Sequence, residues 1–255
     1  MLVVSKFGGT SMSSPESIQN VVSILDNSKE RKICVVSAPG KLDDCPKITD
    51  LLLERKLDEC LSRFSTIISG LGLTRSIMRH AEKKLASLEQ TNSCDALLSF
   101  GEYMSGYTLA HLTKRIFVDA RHVVFFQGEK VHIEICWDIN KPVIIPGFYG
   151  FDESQKQIRV FSRGGSDISA SYIAHAMRAD IYENWTDVDG VYTEDPRINP
   201  HAKKIEYLRY SALEKIVKQG AQIFHLEAVQ PACDGNIPII IKNTFAPNDS
   251  GTIIF

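Results

Sequence analysis

Much is missing from this chain of 255 residues. No apolar run approaches the roughly 18 to 20 residues that cross a bilayer as a helix. The opening Met1-Leu2-Val3-Val4-Ser5-Lys6 is not a basic segment followed by a long apolar stretch, so no leader or anchor is indicated there. Six cysteines, at 34, 45, 60, 94, 136 and 233, fall in no C-x-x-C pair, and the seven histidines show no metal-ligand spacing with them or with one another. Neither a zinc site nor a disulfide framework is therefore expected, and the thiols read as reduced. Lysine and arginine (29) are spread among aspartate and glutamate (31), for a net charge of -2. Without a basic patch, nucleic acid is not an expected partner. The string G-x-x-x-x-G-K-[ST] is absent too: Gly40-Lys41 is followed by Leu42 and lacks the preceding glycine. A protein-kinase G-x-G-x-x-G, an H-R-D loop and a D-F-G are likewise missing. What remains is a soluble, cytoplasmic chain with no membrane partner, in which any phosphoryl chemistry uses another scaffold.

Composition is that of an ordinary globular protein, 44% hydrophobic and 24% charged. Apolar β-rich runs alternate with helical patterns, which predicts an α/β fold of three layers, a mainly parallel sheet covered by helices on both faces. Leu2 to Lys6 and Ile33 to Ser37 bracket a first helix. From Ile48 to about Arg115 the spacing is helical nearly throughout. Short strands are expected at Phe117 to Asp119, Val123 to Phe126 and Val143 to Ile145, with a hairpin through Asp152 to Phe161. A strand at Ile181 to Trp185 leads into a tight turn at Asp187-Val188-Asp189-Gly190. Two helices, Tyr210 to Gln219 and His225 to Asp234, precede strands at Pro238 to Lys242 and Thr252 to Phe255. The pattern reads as one domain in two lobes, about 1–167 and 168–255.

Two segments carry chemistry. The first, Lys6-Phe7-Gly8-Gly9-Thr10-Ser11, ends an apolar strand. Glycines at 8 and 9 let bare backbone N–H groups approach an anion, and positive φ costs them little. Lys6 adds a full charge. A helix begins just afterwards, with Ser14 as N-cap, Pro15 in the first position and Glu16 in the first turn. The second segment, Ser162-Arg163-Gly164-Gly165-Ser166-Asp167, also opens a helical stretch, Ile168 to Met177. Arginine offers a planar fork for carboxylate or phosphate, and Asp167 can accept from an ammonium. Such a site suits a ligand with both charges, an amino acid for example.

Together these two motifs resemble aspartate kinase, of the amino-acid kinase superfamily. Further matching segments follow in order: Val35 to Ala38, Ile48 to Leu52, Phe100 to Ser105, Pro146 to Gly150, Trp185 to Thr193, Asp195 to Arg197, and Ile241 to Thr244. The resemblance covers essentially the whole chain. It implies transfer of the γ-phosphoryl of ATP, with Mg²⁺, to the β-carboxylate of L-aspartate, the first step towards lysine, threonine and methionine. It places aspartate in the N-terminal lobe and ATP in the C-terminal lobe.

By that resemblance Lys6, Gly8 and Gly9 face the phosphates, and Arg163 takes the substrate α-carboxylate. Glu102, and with it Asp167, faces the substrate ammonium. Asp167 keeps two other readings, as a helix cap or as the anchor of Lys6. Ser37, Thr49, Phe148 and Ser166 match positions around aspartate. Thr186, Asp187, Tyr192 and Arg197 match positions around the nucleotide, and Lys242 a lysine directed at phosphates. Asp187 and Asp189 read as turn chemistry rather than as a metal pair, and no protein metal site is expected. Aspartate kinases continue into paired ACT domains, whereas this chain stops at Phe255; no inhibition by lysine or threonine is expected of it. A homodimer is the default for such an enzyme. Two alternatives stay open: another superfamily member acting on a different substrate, and a catalytically silent binding or scaffold subunit.

Overall fold

The computed structural model describes residues 1–255 except 163, 195–197, 200 and 219–225. Strand β1 (Val3–Phe7) leads through a 3-10 turn to helix α1 (Pro15–Asp26) and back to strand β2 (Ile33–Val36). Ser14 caps α1: its hydroxyl accepts from the Ser17 N–H, Ser17 returns the bond to the Ser14 N–H, and Pro15 and Glu16 fill the first turn, as the composition of that turn predicts. Helices α2 (Ile48–Leu53), α3 (Leu57–Gly70), α4 (Arg75–Glu89), α5 (Cys94–Leu98) and α6 (Phe100–Thr113) then follow. This is the long helical stretch read from spacing, broken where Gly72 and Asn92 take positive φ.

Next come β3 (Ile116–Phe117), β4 (Val124–Gln127), β5 (Lys130–Ile133), β6 (Val143–Pro146), β7 (Tyr149–Asp152) and β8 (Gln157–Val160). Helix α7 (Gly165–Ala176) and strand β9 (Ile181–Thr186) precede the short strands β10 (Val191–Tyr192), β11 (Lys204–Ile205) and β12 (Tyr207–Leu208). Helices α8 (Tyr210–Lys218) and α9 (Leu226–Asp234) and strands β13 (Ile239–Asn243) and β14 (Thr252–Ile254) complete the described order. Gln219 and His225, the inner ends expected for α8 and α9, lie outside the described residues.

Eight strands form one sheet in the order β12-β14-β13-β9-β1-β2-β6-β3, parallel throughout except for β13 against β14. Side chains alternate across it. Val4, Val35, Ile145 and Tyr182 enter one buried cluster with α7; Phe7, Val36, Ile144 and Trp185 enter another with α1. The expected helix-covered α/β sheet is therefore observed. A separate four-stranded sheet, β5-β4-β7-β8, contains a hairpin of β7 and β8 whose turn and second strand fall in the expected stretch Asp152 to Phe161 and whose first strand begins before it. The strands β5, β10, β11 and β12 were not legible, being of two to four residues with little alternation. Among the described residues no helix is long and apolar enough to cross a membrane.

Candidate active site

The parallel strands β1, β2 and β9 end together, and their carboxyl ends form the edge where doubly wound sheets hold ligands. Lys6 and Asn184 are register partners on β1 and β9, so their side chains leave the same face side by side. Both reach Asp167 on the first turn of α7: Lys6 Nζ lies 2.6 Å from Asp167 Oδ1, and Asn184 Nδ2 donates to that oxygen at 2.9 Å. Lys6 and Asn184 are 6% and 5% exposed. Asp167 thus anchors Lys6, the reading its sequence position had left open. The helix N-cap is Gly164, at φ +75, which makes no side-chain cap bond; a residue with a Cβ would be strained there.

The two glycines after Lys6 differ from each other. Neither takes positive φ, and Gly9 sits at φ -61. The Gly8 N–H is already spent on the Trp185 carbonyl at 2.9 Å, so it extends the sheet instead of facing a ligand. Gly9 is required by crowding: a Cβ there would lie 3.0 Å from Gly40 Cα and 3.1 Å from both Ala38 O and Gly40 N. Gly40 N–H donates to Gly9 O at 2.8 Å, so the segment after β2 runs directly against the one after β1.

That second segment brings in the predicted substrate residues. The Ser37 N–H bonds the Phe7 carbonyl, and the Ile48 N–H, one residue before Thr49, bonds that of Pro39. Gly101 at the start of α6 packs so closely on Ala38 that a Cβ would meet the Ala38 Cβ at 2.7 Å, which seats Glu102 beside Ala38. Glu102 is 5% exposed, and its Oε2 has no hydrogen-bond partner among the described residues. Burial pushes its carboxyl up to about 8, against the opposing pull of backbone N–H groups and of the Lys6 charge. From the other side, Gly147 packs on Ser166, with an added Cβ 2.8 Å from the Ser166 Cβ. Phe148 follows at φ +74, its N–H bonded to Ser169 Oγ. Strain of this kind in a non-glycine residue collects at ligand sites.

Thr186 ends β9 next to Gly8, whose added Cβ would lie 4.0 Å from Thr186 Oγ1, and Asp187 follows it. Thr186 Oγ1 donates to Asp187 Oδ1 at 3.1 Å. Ser11 and Thr244 join hydroxyls at 2.7 Å, tying β13 to the first glycine segment. Tyr192 bonds the Asp189 carboxylate at 2.9 Å, which Lys204 also approaches at 3.4 Å, so Asp189 is engaged by two side chains instead of by its own turn backbone. No group of three or more metal-ligating side chains occurs among the described residues.

Lys242 lies near the carboxyl end of β13. It is the register partner of Trp185 and therefore points to the face opposite Lys6, where its ammonium lies 5.1 Å from the Trp185 ring. Burial lowers its pKa, with Glu183 and Arg31 acting in opposite senses. Arg163 and Arg197 lie outside the described residues, although Gly164 to Asp167 beside the former are at the site. Sequence reasoning missed Asn184 and Gly40. The first was visible as an amide inside the apolar run Ile181-Tyr182-Glu183-Asn184-Trp185; the second had no local signal, because only packing on Gly9 makes it necessary.

Comparison with known proteins follows this geometry. A model of the amino acid kinase family matches residues 1–243. Aspartokinase 3 of Bacillus subtilis is 32% identical over 284 residues, covering 98% of this chain and 62% of its own length. The crystal structure of Clostridium acetobutylicum aspartate kinase superposes with a TM-score of 0.84 at 36% identity, over 99% of this chain and 62% of that one. That of E. coli aspartokinase III in complex with aspartate and ADP gives 0.85 at 24% identity, over 100% and 64%, a likeness of fold. The chain thus spans somewhat under two thirds of the relatives it matches.

Proposed function

Because the chain belongs to the amino acid kinase family, we propose that it transfers the γ-phosphoryl group of ATP to the side-chain carboxylate of L-aspartate, giving 4-phospho-L-aspartate. The observation that carries this is the meeting of Lys6, the N-terminal turn of α7 and the buried Glu102 at one sheet edge. Phosphate is served by an ammonium and helix N–H groups, while an amino acid's ammonium is served by a buried carboxyl one of whose oxygens has no partner among the described residues. The Bacillus and Clostridium relatives support aspartate as the acceptor.

The acceptor carboxylate, with an ordinary pKa near 4, is ionised at neutral pH and needs no general base. What the protein supplies is alignment of two anions and fixed positive charge between them. Lys6 contacts the transferring phosphoryl group, and Asp167 with Asn184 holds that ammonium in place. Gly9 lets the backbone come close. Glu102 receives the substrate ammonium and Arg163 its α-carboxylate; Ser37, Thr49, Phe148 and Ser166 line the amino-acid side. Thr186, Asp187, Tyr192 and Arg197 form the nucleotide side, which Lys242 joins only by rotating off Trp185. Magnesium, an ion that takes one or two carboxylates beside phosphate, would arrive with the ATP phosphates and offset part of their charge; Asp167, whose Oδ1 is held by Lys6 and Asn184, is a carboxylate at this edge that could share it. The lobe up to residue 167 takes the amino acid and the remainder the nucleotide. We read the protein as a cytoplasmic homodimer whose product leads towards lysine through diaminopimelate, and to threonine and methionine.

The test is a screen of the chain with ATP and magnesium against aspartate, glutamate, N-acetylglutamate and UMP, trapping acyl phosphate as hydroxamate. Aspartate-dependent hydroxamate is expected. Turnover of a different acceptor, or of none, refutes the proposal.

A further inference from the structure

Helix α3 buries Cys60, Arg63, Phe64 and Ile67 on one stripe, so a guanidinium stands where helical periodicity calls for an apolar side chain. Arg63 is 9% exposed. One terminal nitrogen donates to the carbonyl of Pro46 and the other to the carbonyl of Gly40. These two carbonyls bracket residues 41–45, part of an exposed stretch that leaves the core after Gly40 and re-enters it at Ile48, the first residue of α2. Within it Leu42 and Cys45 pair with each other across a tight turn, and Asp43 takes φ +48. Gly40 is also where this loop touches the first glycine segment, since a Cβ on it would lie 2.7 Å from Gly9 C.

Among the described residues Arg63 has no carboxylate partner; its hydrogen bonds go to backbone carbonyls. Burial lowers its pKa, partly offset by the thiols of Cys45 and Cys60. An unneutralised buried cation is costly, so closure of the loop alone does not account for it. A planar fork supplies two donors whose separation is fixed, which a lysine cannot.

We infer that Arg63 is the positioning residue of the loop between β2 and α2: by gripping both ends it fixes Gly40 against Gly9 and thereby sets the span from Ser37 to Thr49. It acts through Gly40 and touches no reacting group. The kinetic consequence rests on the aspartate-kinase reading; the loop closure rests on geometry alone.

The experiment compares Arg63→Met, Arg63→Lys and Arg63→Ala with wild type, by hydrogen exchange of the loop amides and by steady-state kinetics with aspartate and ATP. In Arg63→Met the hydrogen-bonded amides of Gly40, Leu42, Cys45 and Ile48 should exchange at least tenfold faster while those of β1 and α7 keep their rates, and kcat/KM for aspartate should fall at least tenfold with KM for ATP within threefold. Arg63→Lys, which keeps the charge but not the fork, should resemble Arg63→Met. Ethylguanidinium should restore loop protection and turnover to Arg63→Ala. Wild-type exchange in Arg63→Met, or wild-type behaviour of Arg63→Lys in both readouts, overturns the inference. If Arg63→Met does not fold, failure of ethylguanidinium to protect the loop of Arg63→Ala overturns it. Absence of aspartate turnover in the wild type would refute the function while the exchange data still judge Arg63.

Discussion

Replacing Glu102 by glutamine should stabilise the protein in proportion to pH. The carboxyl is buried, one of its oxygens has no partner among the described residues, and its pKa rises to about 8. In the unfolded chain it would titrate near the ordinary value of about 4.3. Between those two values the folded state holds the proton more tightly than the unfolded state, so unfolding becomes easier as pH rises. Below pH 4 both states are protonated and the group contributes nothing. Above pH 8 the penalty is complete, at roughly 5 kcal/mol from 1.36 kcal/mol per pKa unit. Glu102→Gln removes the titration, so the difference in unfolding free energy between variant and wild type should be small at pH 5, grow through pH 7 and level off above pH 8. For a chain of this size that corresponds to a melting difference on the order of 10 °C at pH 9. Denaturant melts at pH 5, 7 and 9 measure it. A difference independent of pH would refute the argument, because it would mean the carboxylate ionises normally in the fold. Calorimetry adds a functional readout: aspartate binding to the wild type at pH 7 should release close to one proton, and binding to Glu102→Gln none.

Three further outcomes follow from the same structure. Lys6→Ala should lower kcat by at least a thousandfold in a chain whose circular dichroism is unchanged, since the ammonium facing the phosphoryl group is gone; near-normal turnover would count against its role. Gly9→Ala places a Cβ against the backbone of Gly40 and Ala38 and should cost about 1–3 kcal/mol in a denaturant melt, whereas Gly8→Ala meets only ordinary contacts, 3.4 Å or more away, and should cost under about 1 kcal/mol by the same reasoning. Arg31→Met strands Glu183, which accepts from Arg31 Nε and Nη2 at 2.7 and 2.9 Å, and should cost roughly 3–5 kcal/mol at pH 7. Burial alone would raise the Glu183 pKa, but Arg31, Trp185 and Ser5 hold it below the usual range; in the wild type this contribution should be present above about pH 4.3 and be lost as pH falls through the folded-state value.

The legible part of the fold was the part specified locally. Ser14-Pro15-Glu16 announced the start of α1 through its own hydroxyl and ring, and the apolar runs at 33–36, 143–146 and 239–241 became sheet strands. Short edge strands escaped because two residues carry no period. Of the site residues, Ser166, Phe148 and Glu102 were named through resemblance to a family motif, and packing then brought them to one edge. Lys242 was matched to a phosphate lysine through the family resemblance alone, and the face by which it leaves the strand is legible only from its register with Trp185.

Order along the chain therefore decided the class of fold, the first helix cap and the two charged glycine segments, all of which depend on neighbours within a few positions. Side-chain environment was decided elsewhere. Asp167 holds Lys6 instead of capping its helix, Gly9 is needed for room instead of for φ, burial raises the pKa of Glu102, and Arg63 clasps a loop. Each of these depends on distant segments meeting across parallel strands, where register selects the face and exclusion of water sets the strength of every charge.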